Sequence, residues 1–201
     1  MTRTGRRSSG RGALAGSTAA GVLAGIAAKA ADESRWRWAA DLGSYPAAWV
    51  LAVALIGWRA PSLHTAAVRA GVFFAAMTVA YYGWAALVLH FGWNVRLLIG
   101  WLVLSATAVP LTAAAAHWST RRSGWPPGAL LATAAGITLG GGALGHAGEH
   151  PVQAVADVAV AVLLVGVLPR NGRTRVWAVA LALPLTWVAA QLLDVLRALL
   201  S

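Results

Sequence analysis

The sequence predicts an all-α protein: a polytopic transmembrane helix bundle of seven spans with a cytoplasmic N-terminus. Three observations carry that expectation. Hydrophobic residues make up 59% of the chain and charged residues 11%, with a mean hydropathy of +0.66, whereas soluble domains carry about a quarter charged residues. Apolar runs recur along the chain, broken by short gaps of Arg, Gly, Pro and Ser. Finally, threading those runs through a bilayer sorts the charges by sign, as a membrane topology does.

Residues 1–12 hold four arginines among serine and glycine, which predicts a disordered basic cytoplasmic tail ahead of a single transmembrane domain over residues 13–201. Arg6 and Arg7 before an apolar run, with Ala28-Lys29-Ala30 behind it, mimic a twin-arginine signal, but an uncleaved first span is the preferred reading. That span, residues 13–31, is mostly alanine and glycine. Gly12, Gly16, Gly21 and Gly25 form two small-xxx-small pairs that let a neighbouring helix approach closely. Packing within the bundle explains them better than dimerisation, and Lys29 falls on the same stripe, facing protein.

Residues 32–46 form a mixed-charge segment with Trp36, Trp38 and Tyr45, suited to the headgroup level. Span two covers residues 42–58 and is short. Span three, 70–91, places Tyr81 and Tyr82 at mid-depth, where a hydroxyl needs a partner. Span four, 96–118, carries Pro110 inside it, which predicts a kink. Span five, 127–147, has Gly136 and Gly140 on one stripe. Span six, 152–168, ends at Pro169, and span seven, 176–200, contains Pro184 and then Gln191, Asp194 and Arg197. No internal repeat is visible in the letters of the sequence.

With the tail inside, eleven of the sixteen basic residues fall on the cytoplasmic side. The same threading sends all six acids to the other side: Asp32, Glu33, Asp41 and Glu149 in loops, Asp157 and Asp194 about 8–9 Å from their helix ends. A carboxylate in hydrocarbon costs on the order of 2.5–3.5 kcal/mol at the bilayer centre, so those last two need a partner or water. The eleven tryptophans mostly fall near the two interfaces, as an aromatic belt.

Several classes of chemistry are excluded. There is no cysteine, hence no disulfide, thiolate metal site or cysteine nucleophile. The net charge of +10 is spread over the gaps between spans without any nucleic-acid motif, so nucleic acid is not an expected partner. No phosphate-binding glycine loop or nucleophile elbow is present. His146, Glu149 and His150 match H-x-x-E-H, in which two histidines hold zinc and the glutamate acts as base, but Gly148 within the motif and Pro151 after it suit a helix end better than the continuous helix that motif needs.

The pattern W-x-W-x4-G-x-Y-P-x2-W (Trp36, Trp38, Gly43, Tyr45, Pro46 and Trp49), followed by Gly57 and by Tyr81-Tyr82, resembles an uncharacterised family of actinobacterial multi-pass integral membrane proteins. The likeness covers about residues 13–120. It implies location and architecture, and no chemistry.

The functional expectation is therefore a non-enzymatic protein of a bacterial plasma membrane, without a cofactor. It would bind or help transport a small solute through an outward-facing polar pocket lined by Lys29, His90, Arg96, Asp157 and Asp194. Its expected partners are the lipid bilayer and that solute. The alternatives are an accessory subunit docking on a membrane partner and a metal-dependent intramembrane hydrolase using His146, Glu149 and His150.

Overall fold

The computed structural model describes residues 5–36, 38–40, 46–140 and 147–200, with side chains for 12–36, 38–40, 47–140 and 147–192. His146, Asp41, Gly43 and Tyr45, and the side chains of Asp194 and Arg197, lie outside the described residues. The helices are α1 (Gly5–Asp32), α2 (Pro46–Arg59), α3 (Leu63–Leu87), α4 (Val95–Ala106), α5 (Ala108–Ser119), α6 (Trp125–Gly140), α7 (Pro151–Val162) and α8 (Gly172–Leu200). No strand occurs among the described residues.

Local chemistry explains where several helices begin. The Ser62 hydroxyl accepts from the Thr65 amide at 3.2 Å to start α3, and the Asn94 side chain accepts from the Leu97 amide at 3.2 Å to start α4. Pro151 opens α7, where its missing N–H loses nothing. The expected disturbance at Pro110 is a break at Thr107, which separates α4 from α5. Proline has no amide to give the carbonyl four residues back, and its ring crowds that carbonyl, so the regular ladder stops just ahead of it. A second irregularity follows α7, where residues Leu163–Val167 form a π-helical turn that brings the Leu168 amide to the Leu163 carbonyl at 2.9 Å.

Glycine sets the packing register. A Cβ built on Gly21 would lie 2.2 Å from the Phe73 carbonyl oxygen, and one on Gly25 would lie 2.2 Å from that of Met77. No side chain fits there, so α1 and α3 touch backbone to backbone. Residue numbers rise together along the two helices, which makes them parallel. The same arrangement joins α6 to α8: a Cβ on Gly128 would meet Trp177 Cβ at 2.7 Å, and a Cβ on Gly140 would meet the Thr186 carbonyl oxygen at 3.1 Å. Between α2 and α5 the tight position is Gly57, 2.3 Å by the same measure from the Ala113 carbonyl oxygen.

Two helices that are parallel and one apart in the chain need a return helix between them. That role falls to α2 in the first case and α7 in the second. The chain thus contains two three-helix units, α1–α3 and α6–α8, joined by the broken pair α4–α5. The repeat is hidden in the sequence because it is one of packing: Gly21 and Gly25 in one unit, Gly136 and Gly140 in the other, with little else in common. One apolar core lies inside the first unit and α5, around Phe73, Phe74, Met77 and Ala113. Another, around Ala54, Ala116, Ala135 and Leu164, fastens α2 and α5 to the second unit.

Four helical stretches are long and apolar enough to cross a membrane: Gly12–Asp32, Leu63–Leu87, Val95–Ser119 counted through the break, and Gly172–Leu192. Ala47–Arg59 and Pro151–Val167 are apolar but shorter. Their outward surfaces carry large apolar side chains in the open, such as Leu111, Val155 and Leu183, which is the expected surface of a helix facing hydrocarbon.

Candidate functional site

A cavity of about 530 Å³ opens between α1, α2, α3 and the α4–α5 pair. Its walls follow from the packing just described. Glycine docking holds α1 close along α3, and α1 then contributes only the small Ala28 and the polar Asp32. Bulk comes from the facing helices, with Trp49 on α2, Phe74 on α3 and Trp101 on α4. The Phe74 and Trp101 rings lie 6.0 Å apart. Leu104 and Ala108, on either side of the Thr107 break, both face the cavity, so the interruption ahead of Pro110 forms part of its wall.

One end of this apolar chamber is polar. The Tyr81 hydroxyl donates to the Asp32 carboxylate, linking the C-terminal end of α1 to α3. The Lys29 ammonium lies 5.2 Å from the centre of the Tyr81 ring and 5.2 Å from that of Phe91, and pairs with Glu33 at 2.6 Å. Lys29 is itself buried, as its place on the glycine stripe requires. Tyr82 also borders the cavity and meets Tyr81 edge to face, with 5.2 Å between centroids. The chamber therefore offers aromatic and aliphatic walls, a carboxylate already engaged by a phenol, and a cation held just behind that phenol.

Of the other residues expected to line a pocket, His90, Arg96 and Asp157 lie elsewhere, and the Asp194 side chain is outside the described residues. His90 is exposed in the turn after α3, in the left-handed region at φ 57°, and Arg96 is exposed on the first turn of α4. Asp157 is 3% exposed on α7, which packs on α6 and α2 rather than on α1. Its Oδ2 receives a long hydrogen bond of 3.4 Å from Gln153, and its Oδ1 has no partner among the described residues. Among the described residues, Lys29 is the member of the set that stands beside the cavity. Glu149 and His150 occupy the turn before α7. Among the described residues no group of three His, Asp or Glu side chains is placed to hold a metal.

Asp32, Phe74 and Trp101 do not stand out in the sequence as site residues. The need of a membrane-embedded tyrosine for a partner points to one half of the Asp32–Tyr81 pair. The other half comes from 49 positions away and is fixed only by the α1–α3 register.

No curated protein and no solved structure matches the chain. A family of unknown function (DUF6518) matches residues 4–199, nearly the whole length, and the chain belongs to that family.

Proposed function

We propose that this chain is a multi-pass membrane protein of seven passages, with its N-terminus on the arginine-rich side. We propose further that it binds a small, mainly apolar solute bearing one cationic or hydrogen-bond-donating group in the α1–α5 cavity and helps to move it. The observation that carries the reading is the cavity itself, whose volume of about 530 Å³ falls in the range of roughly 300–1,000 Å³ found for small-molecule sites. Apolar walls would take the body of the solute, while the Asp32 carboxylate and Tyr81 hydroxyl would fix its polar end. Two parallel three-helix units around a linking span favour movement over static binding, since transporters are commonly built from such repeats. The two parallel pairs set by the glycine contacts, α1 with α3 and α6 with α8, support this threading, with the shorter α2 and α7 serving as return strokes.

The test is ligand binding followed by tryptophan fluorescence, because Trp49 and Trp101 both face the chamber. A series of hydrophobic amines should quench saturably in wild-type protein, more weakly in Asp32→Asn, and in preference to hydrophobic carboxylates of equal size. Equal quenching by both series, unchanged in Asp32→Asn, would dismiss the proposal.

An accessory role is favoured by one separate observation. Among the described residues no atom lies within 4 Å of a Cβ built on Gly12 or Gly16, so the front half of the α1 stripe offers a close approach to another helix. Stoichiometric co-purification of a second membrane chain, lost in Gly16→Leu, would establish it.

A further inference from the structure

At the end of the bundle opposite Asp32, three turns are tied into one platform. Arg121, after α5, donates to the carbonyl oxygens of Ala60 at 2.7 Å and Trp58 at 3.3 Å, which binds the second turn to the first. Asn171 and Thr174 donate to the Arg122 carbonyl oxygen at 3.2 and 3.1 Å, which binds the third turn to the second. Arg170 closes the ring, its guanidinium 5.6 Å from the centre of the Trp58 indole, with that of Arg59 at 5.7 Å from the same ring.

The platform gathers Arg59, Arg121, Arg122, Arg170, Arg173 and Arg175 with no counter-charge in the neighbouring sequence. No acidic residue occurs between Asp41 and Glu149 or between Asp157 and Asp194. Arg121 and Arg175 direct their hydrogen bonds to backbone carbonyls and His117. Burial and the Arg170 charge both push the Arg121 guanidinium down from its ordinary value, a sign that the positive charges repel, although arginine stays charged at neutral pH. The Trp58 Nε1 donor, buried in their midst, has no acceptor among the described residues. Basic turns alone would satisfy topology. Holding two guanidiniums on one indole, beside a third fixed by carbonyls, goes further: it preorganises planar donors, the arrangement that recognises phosphate oxygens.

We propose that the Arg59–Arg170 pair on Trp58, with Arg121 beside it, is a binding site for a phosphate oxyanion at the membrane surface. The phosphodiester of an anionic phospholipid and free phosphate share that chemistry. The assignment needs the membrane setting of the proposed function but not its solute site, so either can fail without the other.

The experiment is thermal unfolding of the whole chain in detergent micelles, titrated in separate arms with phosphatidylglycerol, phosphatidylcholine and inorganic phosphate. Wild-type protein should be stabilised by phosphatidylglycerol at concentrations where phosphatidylcholine has no effect. Arg59→Gln/Arg170→Gln should bind it roughly tenfold to thirtyfold more weakly, the effect of two arginines near a charged lipid surface. Arg35→Gln, which removes at the opposite end the one charge that each single variant Arg59→Gln or Arg170→Gln removes here, should bind as wild type does. Should the double variant not fold, the single variants Arg59→Gln and Arg170→Gln give the same reading, each weaker by several-fold. Stabilisation by inorganic phosphate, lost in the same variants, would uphold the site and name the soluble ion as its source. Equal stabilisation by both lipids, or an equal loss in Arg35→Gln, overturns it.

Discussion

The Tyr81 hydroxyl and the Asp32 carboxylate are hydrogen-bonded partners at the polar end of the chamber. The pair joins the last residue of α1 to a position one turn beyond the Met77 backbone that Gly25 touches. A hydrogen bond to a charged acceptor contributes about 1.5–3 kcal/mol net, and both partners here are partly exposed, which places it near the lower figure. Tyr81→Phe should therefore lower unfolding stability in detergent by about 1–2 kcal/mol while leaving the helical signal in circular dichroism unchanged. A variant as stable as wild type would show the contact to be incidental.

The glycine stripe of α1 divides into a used and an unused half, and substitution should expose the difference. Gly25→Ala puts a methyl group 2.2 Å from a backbone oxygen that cannot turn aside, so α1 must shift away from α3. Overpacking of this kind costs about 1–3 kcal/mol. Gly16→Ala meets no atom of the described residues and replaces the poorer helix former by the better one, a gain of up to about 1 kcal/mol. Thermal unfolding of the two variants side by side should move in opposite directions.

These contacts also show how much of the fold could be read from the letters. The apolar runs, the proline disturbance in span four, the intramolecular packing of Gly21 and Gly25 and the shared stripe of Gly136 and Gly140 were legible because each follows from local chemistry: hydropathy, a missing amide, a missing side chain. The same packing expected of Gly12 and Gly16 finds no neighbour among the described residues. The pairing of Asp32 with Tyr81 and the gathering of three arginine turns were not legible. They depend on which helices lie side by side, and small-residue stripes announce a close neighbour without naming it. The chamber was illegible for the same reason, since Trp49 reads as part of an interfacial aromatic belt, Trp101 as an ordinary packing residue, and Phe74 does not stand out at all.

Asp157 makes a different kind of demand. It is buried, its only hydrogen bond among the described residues is the long one from Gln153, and one carboxylate oxygen has no partner there. An amide in its place can still bond to Gln153 and carries no charge into the bundle. Asp157→Asn should therefore be at least as stable as wild type, whereas a carboxylate engaged with a cation would lose about 3–5 kcal/mol on losing its charge. Unfolding at neutral pH separates the two outcomes.

Metal analysis decides the hydrolase alternative. Protein purified without chelators and dialysed against zinc-free buffer should contain less than one tenth of a zinc per chain, on the order of background. Stoichiometric zinc that disappears in both His146→Ala and His150→Ala, and stays in Glu149→Gln, would bring the H-x-x-E-H segment back as a metal site.

The seven-passage threading is open to a direct test because the chain has no cysteine of its own. Two single variants suffice: Ser123→Cys, in the turn beside Arg121 and Arg122, and Gly148→Cys, before α7. Each can be probed in intact cells with a membrane-impermeant thiol reagent. One helix, α6, runs between those positions, so an odd number of crossings separates them if it spans the bilayer. The Gly148→Cys protein should react from outside, and the Ser123→Cys protein only after the cells are opened. The 16 residues of α6 give about 24 Å at 1.5 Å per residue, somewhat less than a hydrocarbon core of about 30 Å. The test thus falls on the passage where helix length alone decides least. Labelling of both positions from the same side would leave α6 uncrossed, bring the arginine platform and the Glu149 turn to one face, and remove the charge separation on which the orientation of the whole chain rests.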